Sequence, residues 1–172
     1  MRYLWTLFFL GLFLPTQALA ATAKALIEGT TPATKADGLA TFKDTAEGLE
    51  IRVDVFNAPP GQHGLHIHET GSCGDAGNAA GGHYNPETVK HGLITKDGLT
   101  GAHLGDLGNI EIQPGGFGSV TVVVPYLTVK GGKYNVEGRT VVLHDKVDDF
   151  GQPTGNAGAR IGCGVIEAVP GE

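Results

Sequence analysis

An all-β domain is what the sequence predicts: eight short antiparallel strands in a sandwich or flattened barrel with Greek-key crossing. Three observations carry it. Apolar and polar residues alternate with a period of two in eight separate runs, turn-forming residues separate most of them, and no stretch of ten or more residues shows a 3.6-residue apolar stripe. The 172 residues include 28 glycines and 9 prolines, so the chain turns often, yet no Gly-X-Y period makes it collagen. An apolar share of 41% and a net charge of −6 exclude disorder, and the length suits one domain with its own core. A pI near 5.6 argues against a nucleic-acid partner.

The first strands are expected near 23–29 and 38–43. The third, 49–56, is the clearest: Ile51, Val53 and Val55 alternate with Glu50, Arg52 and Asp54, so one face meets a core and the other meets water. The fourth, 63–68, turns Leu65 and Ile67 inward. Pro59-Pro60-Gly61 stands at a hairpin-like distance between the third and fourth, and Pro114-Gly115-Gly116 stands similarly between runs at 109–113 and 119–124. Runs at 139–144 and 161–168 complete the set. Two connections are long, a glycine-rich span over 69–108 and an irregular stretch over 145–160. Their length suggests the Greek-key crossings, and irregular segments of that size in a small domain point to function.

Residues 1–20 read as a leader and not as part of the fold. Arg2 precedes an apolar run from Tyr3 to Leu14, Pro15 breaks it, and Ala18-Leu19-Ala20 has the small-x-small form of a cleavage site. The run of about 12 apolar residues is shorter than the roughly 20 that span a bilayer, so a secreted domain over 21–172 without stable membrane insertion is expected. Secretion implies an oxidising compartment, where Cys73 and Cys163, the two cysteines of the chain, could pair or could stay as buried thiols.

All seven histidines lie between His63 and His144, and most flank or enter the long connections. His66 and His68 are two apart on a strand, so both rings leave the same face and can share one ion. His83, His91 and His103 follow, with Asp106 three residues further on. Three imidazoles and a carboxylate form a closed tetrahedral set suited to zinc, whereas an imidazole-rich set with an open position suits copper or a catalytic zinc. His144 ends the seventh run and could complete that second set.

The strings Gly64-Leu65-His66-Ile67-His68-Glu69, Gly81-Gly82-His83-Tyr84-Asn85-Pro86, Lys90-His91-Gly92, Gly105-Asp106-Leu107-Gly108-Asn109, His144 before Asp148-Asp149, and Gly155-Asn156-Ala157-Gly158-Ala159-Arg160-Ile161-Gly162-Cys163-Gly164-Val165-Ile166 resemble the copper/zinc superoxide dismutases. The resemblance covers nearly all of the expected mature chain. It implies dismutation of superoxide to oxygen and peroxide by a copper ion that changes valence, with one copper and one zinc per subunit. Copper would be held by His66, His68, His83 and His144, and zinc by His83, His91, His103 and Asp106, with His83 bridging the two. Asp148 would link His66 and His91 through their non-liganding nitrogens. Cys73 and Cys163 would form the intrasubunit disulfide, and Arg160 would stand beside the copper as a cation for the anionic substrate. His63 matches a structural position, not a ligand.

The chain departs from the animal members of that family in three places. Only 11 residues separate Asp148 from Arg160, without the lysines and glutamates of the animal loop, and Lys146 is the candidate substitute cation. The interval from His91 to His103 is longer, and the segment after Glu69 lacks the aromatic of animal dimer contacts. A homodimer of either bacterial or animal type and a monomer all stay open. The leader and the compact bacterial-style loops suggest the periplasm, with an extracellular address as the alternative. The rival function is a non-enzymatic copper or zinc storage protein on the same scaffold. A copper-only dismutase would lack zinc ligands, and none is missing here.

Overall fold

The computed structural model describes residues 20–170. The expected leader therefore lies, except for Ala20, outside the described residues. Nine strands form in chain order: β1 (Thr22–Gly29), β2 (Asp37–Thr45), β3 (Gly48–Phe56), β4 (Gly61–His68), β5 (Asp106–Ile112), β6 (Gly118–Val124), β7 (Thr140–His144), β8 (Arg160–Val165) and β9 (Glu167–Val169). All the pairings between them are antiparallel. Their lateral order is β5-β4-β7-β8-β1-β2-β3-β6, with β9 paired to β1. The ends of this row, β5 and β6, are joined by a tight turn in which Gln113 N–H donates to the Phe117 carbonyl at 2.8 Å, so the barrel nearly closes.

The period-two pattern does what it predicts in β3, where Leu49, Ile51, Val53 and Val55 are fully buried between more exposed neighbours. Each such side chain contributes on the order of 1.5–3 kcal/mol by leaving water. Alternate residues of β1 (Ala23, Ala25, Ile27) and β2 (Ala40, Phe42) meet them in the same core. The strands β4 and β7 differ, because residues on both of their faces are buried. Leu65 and Ile67 fill the barrel, while His66 and His68 on the other face lie beneath the long connections.

Three sequence expectations change. First, the Pro59-Pro60-Gly61 segment is not a hairpin: β3 pairs with β2 and β6, and β4 pairs with β5 and β7, so residues 57–60 carry the chain from one sheet to the other. The two prolines have no N–H to offer a ladder, and Asn57 takes a left-handed φ of 54° that turns the chain out of β3. Second, the Greek-key crossings are not in the long connections. Those connections join hydrogen-bonded neighbours, β4 to β5 and β7 to β8, and so are free to fold over one sheet. Third, the eighth run divides at Ile166, whose N–H donates to the Arg139 carbonyl at 2.8 Å instead of to a neighbouring strand. The long connection also holds a 3-10 turn (Asn78–Ala80) and a one-turn helix, α1 (Ile94–Asp97), both too short to leave a helical stripe in the sequence.

Candidate metal centre

The two long connections and the outward face of β4 and β7 bring six of the seven histidines together. His66 and His68 come from β4, His144 from the end of β7, and His83, His91 and His103 from the long loop between β4 and β5. Their side chains make two four-residue groups, His66, His68, His83 and His144 in one and His83, His91, His103 and Asp106 in the other, with ligand atoms in each group within 4.8 Å of one another. His83 belongs to both. A single bridge pairs it with His68, and Tyr84 N–H donates to the Ile67 carbonyl at 2.8 Å, which fixes the loop against β4. The rings of His66 and His83 have centroids 4.0 Å apart.

Backbone and carboxylate partners decide which nitrogen of each ring is free. His68 Nδ1–H donates to the Gly81 carbonyl at 3.0 Å, and His144 Nδ1–H faces the Gly158 carbonyl at 3.4 Å. Their Nε2 atoms then meet at 3.4 Å, lone pair toward lone pair. Asp148, fully buried, accepts from His66 Nε2 at 2.8 Å and from His91 Nε2 at 2.9 Å. The opposite nitrogens, Nδ1 of His66 and Nδ1 of His91, are buried without a hydrogen-bond partner. His91 Nδ1 approaches Asp106 Oδ2 to 2.8 Å, an alignment that suits two ligands of one ion better than a donor and acceptor. Buried polar atoms left unpaired are costly. Converging lone pairs, two orphaned nitrogens and a buried carboxylate fit two cations, one at each group.

The charge balance agrees with this. Burial pushes His68 down to about 2, His83 down to about 4 and His144 down to about 3, against weaker opposition from the Gly81 carbonyl, Asp106 and the Gly158 carbonyl respectively. All three rings are thus neutral, ligand-ready imidazoles at neutral pH. Burial also opposes charge on His91, but the close approach of the Asp106 carboxylate and the hydrogen bond to Asp148 outweigh it and hold the metal-free ring up at about 9. Burial works against the charge of Asp106, but hydrogen bonds from His103, His83 and Gly92 N–H and the nearby His91 ring overcome it and keep the group far below the carboxylate range. Asp148 is likewise lowered, by His66 and His91, against the effect of its burial.

The first group faces solvent. A cleft of about 180 Å³ is lined by His68, His83, His144, Thr154, Asn156 and Arg160, among others. The Arg160 guanidinium is held in that wall by Nη1 donating to the Gly77 carbonyl at 2.7 Å and Nη2 to the Gly81 carbonyl at 2.6 Å. Cys73 and Cys163 are bonded, tying the same loop to β8. His63 stays out of both groups, its ring lying 2.8 Å from the His144 carbonyl and 2.9 Å from that of Pro59. Sequence reasoning gave no role to Asn109 or Gln152. Asn109 brackets the backbone around Asp148, donating to its carbonyl at 2.9 Å and accepting from its N–H at 2.7 Å. Gln152 does the same for His91, accepting from its N–H at 3.1 Å and donating to its carbonyl at 2.9 Å. Neither position carries a local signal, since both contacts join residues far apart in the chain.

The sequence profile of the copper/zinc superoxide dismutases matches residues 36–166. The extracellular superoxide dismutase [Cu-Zn] of Caenorhabditis elegans is 39% identical over 139 residues, covering 77% of this chain and 61% of the nematode protein. Superoxide dismutase [Cu-Zn] 1 of Aquifex aeolicus is 40% identical over 137 residues, covering 76% of this chain and 79% of its own length. The crystal structure of the clock protein EA4 superposes with a TM-score of 0.77 and 30% identity, covering 91% of this chain and all of that one. Profile, relatives and architecture agree: this chain belongs to the copper/zinc superoxide dismutase family.

Proposed function

We propose that the chain dismutates superoxide to molecular oxygen and hydrogen peroxide. Copper would be held by His66, His68, His83 and His144 and zinc by His83, His91, His103 and Asp106, so that His83 would serve both. The observation that carries this reading is the membership of one imidazole in both groups. Copper, when bound, supplies the change of valence that lets one superoxide give up an electron and the next receive it, whereas zinc has no redox chemistry and supplies charge and rigidity.

The chain's own residues do the rest. Asp148 orients His66 and His91 through their Nε2 atoms, which leaves the opposite nitrogens free to serve as the ligands the two metals would need. Nδ1 of His83 is kept on the Asp106 side, at 2.8 Å from Oδ1, which leaves Nε2 as the atom that holds and hands on one of the two protons consumed in forming peroxide. Arg160 supplies a fixed cation beside the cleft. In a chain of net charge −6, that local field governs capture of a small anion more than the total charge does. The cleft beside Arg160 lies at the copper-side histidines, so that is where substrate would enter.

The reading of residues 1–20 as a cleaved leader, together with relatives from Caenorhabditis elegans, Haemonchus contortus and Drosophila melanogaster that are named extracellular, supports secretion. A periplasmic address suits the short loops, and it places the enzyme where an anion that crosses membranes poorly would be met. A storage protein, the rival reading, has no use for a cation fixed beside an opening to the copper-side histidines. The test is metal content with turnover. One copper and one zinc per chain, with a fast rate lost on chelation and restored by copper, is the expected result. Tight copper binding without turnover would overturn it.

A further inference from the structure

We infer that Gln152 is a positioning residue for the zinc side, acting through the backbone of His91; the inference rests on the reading of His91 as a zinc ligand. His91 lies in a stretch without regular secondary structure, so no ladder holds its backbone. The Gln152 side-chain amide supplies that missing ladder. Oε1 accepts from His91 N–H at 3.1 Å, and Nε2 donates to the His91 carbonyl at 2.9 Å, across 61 residues of sequence. This two-point pairing fixes both the position and the rotation of the His91 peptide, which one contact could not do.

Two neighbours of Gln152 in the same short loop work on the side chain of His91 itself. The Phe150 ring lies nearly parallel to the imidazole, 19° between planes and 6.4 Å between centroids. Gly155 has a left-handed φ of 75°, and a Cβ there would run into the Asp148 carboxylate and His91 Nε2, so the loop passes directly against that hydrogen bond. Asp148 sets the ring of His91 from behind while Gln152 sets its backbone from outside. The loop from Asp149 to Ala159 is thereby a strap over the zinc side, and Gln152 is its point of attachment to a ligand-bearing residue.

The test uses the full mature chain loaded with copper and zinc. Zinc release to excess EDTA is timed for wild type, Gln152→Ala and Gln152→Met, the last keeping the bulk without the hydrogen bonds. Release about tenfold faster is expected in both variants, the lower end of the effect of removing a partner that orients a metal ligand. Cobalt(II) in place of zinc should show altered visible absorption bands, which a merely structural role would not produce. Thermal melts of the metal-free proteins separate a general loss of stability from the specific effect. Wild-type release and an unchanged cobalt spectrum in Gln152→Met overturn the inference. His91→Ala tests the underlying reading separately. If it retains zinc as the wild type does, the ligand assignment fails; if it loses zinc while Gln152→Met behaves as wild type, the inference alone fails.

Discussion

Replacing both Cys73 and Cys163 by alanine should cost the protein a large part of its stability and loosen the site together. The bridge closes a sequence separation of 90 residues. In the chain-entropy treatment a loop of that size restrains the unfolded chain by about 4.6 kcal/mol at 25 °C. For a domain of about 150 residues each kcal/mol moves Tm by roughly 2–4 °C, so the midpoint should fall by about 9–18 °C. The functional consequence follows from where the bridge attaches. Cys73 leads into the turn whose Gly77 and Gly81 carbonyls hold the Arg160 guanidinium, and Gly81 also receives the His68 Nδ1–H. Freed from β8, that turn no longer fixes the cation or the tautomer of His68. Calorimetry of the metal-loaded protein and steady-state dismutation at a temperature well below both midpoints measure the two effects. A midpoint lowered by less than about 4 °C, or full activity in the double variant, would refute the reasoning.

Arg160→Ala should lower the rate on the order of tenfold and flatten its dependence on ionic strength, since a capturing field is screened by salt; stopped-flow decay of superoxide across a salt series checks both. Asp148→Asn keeps the volume but presents an amide N–H to one of two ring N–H groups, so zinc affinity measured by chelator competition should drop by about 10–100-fold. The metal-free protein should lose stability as pH falls from about 6.5 toward 4. His68, His83 and His144 are pushed below their unfolded value, so the unfolded chain takes up protons first and gains. His91, raised to about 9, contributes in the opposite sense: its stabilisation is full below about 6.5 and declines as pH climbs from there through 9. Melts of the metal-free chain across this range test the sign.

Much of the architecture is legible in the sequence because one-sided strands such as β3 must alternate, and the alternation needs no tertiary information. Less legible are places where both faces of a strand are buried or where glycines interrupt the pattern. β5 begins at Asp106, three residues before the run that marks it, because Gly105 and Gly108 flank a stretch that pairs with β4 across an irregular register. The turn at 57–60 looks local, but its path is set by the partners of β3 and β4, which lie far along the chain. The metal-centre residues stand out because histidine and aspartate advertise their chemistry wherever they fall. Asn109 and Gln152 do not, since a side-chain amide has many uses and only the folded loops reveal which peptide it grips.

Anomalous scattering at the copper and zinc absorption edges, collected from one crystal of the reconstituted protein, addresses the shared imidazole most directly. The account predicts a copper peak among His66, His68, His83 and His144, a zinc peak among His83, His91, His103 and Asp106, and the ring of His83 between them. Two peaks of which only one touches His83, or a single metal serving both groups, would contradict it.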